Sequence, residues 1–192
     1  MSKIGIFGGT FDPIHFGHLI TAQSVIELRN LEKVIFIPAF ISPHKSNVKT
    51  TSPEDRLNMI KLAVKGISFF DYSEIEIKKG GVSYTVDTLR ELKNKYDEIE
   101  FIIGYDNIFS INTWKEPDEI FKLGKIIVLK RKSSHPPQFQ DKYYHQAVFV
   151  QTRGIEISAT DIRERVKNGK PINFLVPTSV MEYIYNHKLY IE

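Results

Sequence analysis

A doubly wound, mainly parallel α/β sheet is the fold that this sequence predicts, and three observations carry the prediction. Strand-length apolar runs recur along the chain, several of them nearly continuous, as strands buried on both faces require. Segments of helical spacing lie between them. Start and stop signals fall where strand–helix alternation needs them.

Taken in order, "KIGIFG" from Lys3 reads as the first strand. Gly17 to Arg29 then sets Leu19, Ala22, Val25, Ile26 and Leu28 at core-like helical intervals. "KVIFIP" is the second strand, and "SPEDRLNMIKLAV" is a helix with Ser52 as N-cap, Pro53 at its first position and Asp55 three residues past the cap. "YSEIEI" (residues 72–77) reads as a strand, "TVDTLRELKNKY" as a helix and "EFIIG" as a strand. "EPDEIFKL" is helical, "KIIVLK" and "AVFVQ" are strands, and "SATDIRERVKNG" is a helix capped by Ser158 and ended by Gly169. Such alternation implies right-handed crossovers. Two polar connections are long for a compact domain: "PAFISPHKSNVKTTS" and "RKSSHPPQFQDKYYHQ".

Residues 1–192 are expected to form one domain, since a chain of 192 residues is enough for a single substantial core and carries no repeat or linker. A 42% hydrophobic, 26% charged composition argues against extended disorder. The absence of cysteine excludes disulfides, thiolate catalysis and Cys-rich zinc sites. No stretch is long and apolar enough to span a membrane, and no signal peptide is evident, so a soluble, cytoplasmic protein is expected. A net charge of +3 suits an anionic small substrate and is too dispersed to argue for nucleic acid. Oligomeric state stays open, a homo-oligomer included.

The most informative stretch is "GGTFDPIHFGH", where the first strand gives way to the first helix. Ligands of open parallel sheets sit beyond the strands' carboxyl ends, near the reversal of strand order. Gly8 and Gly9 would let the backbone adopt unusual φ and a ligand approach its N–H groups. A helix starting near Gly17 would aim unpaired N–H groups and a partial positive charge at the same place. His15 and His18, three apart, would share a helical face and reach one anion. The pattern is neither the dinucleotide fingerprint nor a P-loop. A zinc pair lacks an obvious third ligand, and two histidines serving the turn alone is the plain alternative.

The segment closely resembles the (T/H)-x-G-H nucleotidyltransferase signature, with "HFGH" as its core, and more narrowly that of the nicotinate-nucleotide adenylyltransferases. "PHK", "SYTVDTL", "GYDNIFSINTW" and "ISATDIR" follow in that family's order, so the resemblance spans nearly the whole chain. One departure is Ala159, where the family commonly has a second serine.

The resemblance implies a Rossmann-like nucleotidyltransferase fold with C-terminal helices. It also implies transfer of the AMP unit of ATP to nicotinate mononucleotide, giving deamido-NAD, with Mg²⁺ carried between phosphates and no protein metal ligand. His18, His15 and Arg163 would be catalytic. Gly8, Gly9, Thr10, Gly104, Asp106, Ser158 and Thr160 would join them in holding ATP. His44, Lys45, Thr85 and Trp114 would hold the mononucleotide. The reaction fits these residue types. A phosphate monoester is already largely ionised at neutral pH, so no strong base is needed. Repulsion between anions is then the barrier, and His, Arg and backbone N–H groups answer it. Read by themselves, Ser158 and Asp161 could be a capping box, Asp106 could cap a helix and Trp114 could be packing. Competing functions are the same transfer to nicotinamide mononucleotide or phosphopantetheine, a cytidylyltransferase, and a nucleotide-binding regulatory module without turnover.

Overall fold

Successive residues of a strand point to opposite faces, so strands apolar throughout need cover on both sides. The computed structural model describes residues 3–43, 50–130 and 141–191. In it β1 (Lys3–Gly9), β2 (Lys33–Pro38), β3 (Phe70–Tyr72), β4 (Glu98–Gly104), β5 (Lys125–Lys130) and β6 (Val148–Gln151) pair in parallel in the order β3-β2-β1-β4-β5-β6. Ile6 lies opposite Ile35 on one side and Phe101 on the other.

Two core layers result. On one face Phe7, Val34, Phe36, Ile102 and Ile127 pack against α1 (Phe16–Arg29), α2 (Pro53–Val64), α8 (Ala159–Lys167) and α9 (Thr178–Asn186). On the other, Ile4, Ile6, Ile37, Phe101 and Val128 meet α4 (Thr85–Lys93), α5 (Tyr105–Ile108) and α6 (Pro117–Leu123). Glu100 of β4 is buried and accepts hydrogen bonds from the Arg29 guanidinium (2.7 and 2.9 Å), with Lys3 Nζ 3.1 Å away, which fastens the end of α1 to the sheet. Ser52 caps α2 as expected, its Oγ accepting from the Asp55 N–H.

Two expectations fail. The run 72–77 is not a strand: β3 ends at Tyr72, and α3 (Ile75–Lys79) coils away until Gly80, at φ +69°, closes it. On that edge of β2 the N–H of Val34 bonds Phe69 O, so the edge's next-but-one donor falls at Pro38, which has no N–H. The ladder therefore has nothing to continue on. The second long connection also carries a helix, because Asp141 accepts from the N–H groups of Tyr143 and Tyr144 and starts α7 (Lys142–Gln146). Among the described residues no helix is long and apolar enough to cross a membrane.

Candidate active site

Strand order reverses between β1 and β4, and a cavity of about 860 Å³ opens at their carboxyl ends. Every described residue assigned to the site from the sequence lines it: Gly8 and Gly9 at the end of β1, Thr10, His15 and His18 beyond it, Gly104 at the end of β4 with Asp106 beyond it, Ser158, Thr160 and Arg163 at α8, and Thr85 and Trp114. His44 and Lys45 lie outside the described residues, while Pro43 beside them reaches the cavity.

The first turn differs from expectation in detail. Gly8 and Gly9 are the last residues of β1, in extended backbone, and their φ is not positive. Space is what they provide: a Cβ would come 3.3 Å from the Phe101 ring at Gly8 and 3.0 Å from the Phe11 ring at Gly9. The left-handed residue is Phe11, at φ 52°. His15 is the extended N-cap of α1 and is not itself helical (φ −147°). Its ring nevertheless stacks on that of His18, centroids 3.7 Å apart. A Cβ on Gly17 would lie 2.9 Å from His15 Nδ1, so only glycine lets this ring fold back over the helix start.

The two imidazoles sit in different surroundings. His18 Nδ1 accepts the His15 backbone N–H at 3.3 Å, which puts the neutral ring's proton on Nε2. His15 is 6% exposed, its Nδ1 has no hydrogen-bond partner, and burial lowers its pKa from 6.5 to about 4. It is a neutral ring at pH 7.

Three side chains hold this turn, and the first of them lies outside the motifs. Arg56, on the core face of α2, is 1% exposed and donates to the carbonyls of Thr10 (2.9 Å), Ala39 (2.6 Å), Phe40 (3.0 Å) and Thr51 (3.1 Å). It thereby joins the carboxyl ends of β1 and β2, and burial lowers its pKa. Asp12 accepts from Tyr190 Oη (2.7 Å) and the Thr51 N–H (3.2 Å). Arg163 donates to Asp12 O (2.7 Å) and to Thr160 Oγ1 (3.2 Å), so it links α8 to the first turn and does not sit on a solvated helix face. Ser158 caps α8 by accepting from the Thr160 N–H, so the Ser158–Asp161 capping box is not what forms there.

The remaining wall is formed by α4 and the segment after α5. Thr85 opens α4; Trp114 packs edge-on against Phe101, centroids 6.4 Å apart. Asp106 lies in the first turn of α5, whose N-cap is Gly104, so Asp106 is not the cap. Tyr84, Lys115 and Glu76 also line this wall. Burial pushes the Glu76 carboxyl up, against hydrogen bonds from Thr88 and Ser83. Arg56 had a sequence signal, since it shares helical spacing with Ile60 and Ala63. Tyr190 had none, standing 178 residues from its partner. Among the described residues no group of three or more His, Cys, Asp or Glu side chains is disposed to hold a metal ion.

Glycines at a strand end, a helix start carrying two histidines, and a second capped helix start with an arginine, all facing one cleft, define a Rossmann-like nucleotidyltransferase fold. The family model described as cytidylyltransferase-like matches residues 6–165. Curated relatives named "Probable nicotinate-nucleotide adenylyltransferase" include one from Desulfitobacterium hafniense (strain Y51), 44% identical over 98% of this chain and 95% of its own. Another, from Clostridium botulinum (strain Alaska E43 / Type E3), is 40% identical over the full length of both. The solved structure of Plasmodium falciparum nicotinic acid mononucleotide adenylyltransferase complexed with NaAD superposes with a TM-score of 0.81 at 20% identity, over 100% of this chain and 98% of that one, a likeness of fold. This chain belongs to the cytidylyltransferase-like family and, within it, to the nicotinate-nucleotide adenylyltransferases.

Proposed function

We propose that the chain, read as a single nucleotidyltransferase domain over residues 1–192, transfers the AMP unit of ATP to nicotinate mononucleotide. A phosphate oxygen of the mononucleotide attacks the α-phosphorus, the α–β bridging P–O bond breaks, and deamido-NAD and pyrophosphate leave. The observation that carries this reading is the convergence of both anion-type turns and the Thr85–Trp114 wall on one cavity. Its volume is within the range of sites that enclose small ligands.

The roles implied by the resemblance are supported by the geometry as follows. With its proton on Nε2, His18 donates to the α-phosphate, where charge builds in the transition state. Neutral His15, with Thr10 and the amides after Gly8 and Gly9, contacts the triphosphate. Arg163 adds a fixed positive charge, held against Asp12 O and Thr160, with Ser158 and Thr160 beside it. Gly104 and Asp106 face the ATP ribose. Trp114 borders the nicotinate ring, Thr85 and the neighbouring amides face its carboxylate, and His44 and Lys45 are assigned to the mononucleotide phosphate. Asp12, the buried carboxylate of the turn, is taken up by Tyr190 and Thr51. The donor set facing the phosphates is thus cationic, N–H or hydroxyl, and Mg²⁺ would travel on ATP's own oxygens, as a strongly hydrated ion prefers. The cytoplasm is the proposed location.

Purified protein with ATP, Mg²⁺ and nicotinate mononucleotide is expected to release pyrophosphate, with nicotinamide mononucleotide a much poorer acceptor. No release with either acceptor would overturn the proposal.

A further inference from the structure

Next to Trp114 the cavity wall carries a cation for which the phosphate chemistry has no use. Lys115 Nζ lies 3.0 and 3.2 Å from the two carboxylate oxygens of Asp87 and 4.9 Å from the centre of the Tyr84 ring. Asp87 is shared, for Lys79 Nζ is 3.0 Å from it and Arg90 is 3.8 Å away. Arg90 is itself engaged by Glu116 at 2.5 Å. Two ammonium groups therefore divide one carboxylate, which leaves the group a net positive charge. The other carboxyl on this wall, Glu76, is turned into Thr88 at 2.6 Å, and its burial favours the uncharged form.

A cation over the face of Tyr84, one residue on from Trp114 along the same cavity wall, suits a flat ring that bears a carboxylate. An amide at the same ring position is a neutral dipole and gains far less from a nearby ammonium group. We propose that Lys115 is a specificity-determining residue, its ammonium group drawing in the ring carboxylate of nicotinate mononucleotide and so favouring acid over amide. The inference rests on the reading above that Trp114 borders the nicotinate ring. Lys115 has 41% of its side chain exposed, so the attraction is screened and its expected size is about fivefold in affinity.

The test is calorimetric binding of nicotinate mononucleotide and of nicotinamide mononucleotide to wild type, Lys115→Met and Lys115→Arg. Lys115→Met is expected to lower the acid-over-amide affinity ratio about fivefold and to flatten the salt dependence of acid binding. Lys115→Arg, which keeps the charge, is expected to retain most of the ratio. An unchanged ratio in Lys115→Met, including parallel weakening of both ligands, would overturn the inference. If wild type turns over nicotinate mononucleotide while the ratio ignores Lys115, this inference alone falls. If wild type turns over neither acceptor, the functional reading falls with it.

Discussion

Replacing His15 with asparagine tests whether the first turn holds a neutral imidazole. Burial lowers the His15 pKa from 6.5 to about 4, so between those values the unfolded chain binds a proton that the folded chain refuses. Unfolding free energy therefore rises with pH across that window, and the stability is lost as pH falls from about 6.5 toward 4. With these two pKa values, the folded state loses about 2 kcal/mol between pH 7 and pH 5 through this one ring. The slope near pH 5 is about 1.2 kcal/mol per pH unit. Urea unfolding of wild type and His15→Asn at both pH values isolates the effect, because carboxylates such as Glu100 titrate alike in the two proteins. The stability difference between them should shift by about 2 kcal/mol in favour of the variant at pH 5. Parallel pH profiles would show that His15 titrates normally and would refute the burial argument.

His18→Ala should lower kcat by about a hundred- to a thousandfold while changing the KM for ATP much less, since its Nε2 proton acts where charge develops; an unchanged kcat in steady-state pyrophosphate release would remove His18 from that role. Arg56→Met strips charge-assisted bonds from four backbone carbonyls and should cost about 4 kcal/mol in urea unfolding. A loss below about 1 kcal/mol would mean that water replaces the guanidinium without penalty.

Legibility in the sequence followed the range of the interaction responsible. Ser52 and Ser158 were readable as caps because each oxygen bonds an N–H within three residues. The apolar runs of β1, β2, β4 and β5 were readable because burial on both faces demands apolar residues at successive positions. Tyr72–Ile77 misled because the loss of the strand stems from a missing N–H at Pro38, on another strand. The imidazole pair was visible, but its stacking was not, since His15 lies outside the helical spacing that the three-residue separation suggested.

Alone, the order of residues decided the strand–helix alternation and the two N–H-rich helix starts, because periodicity and caps act over a few positions. Only the folded chain decided that these starts share one cavity, that Arg56 and Tyr190 brace it, and that His15 is neutral there. Each of those depends on solvent exclusion and on partners far away in the chain, and neither leaves a mark on neighbouring residues.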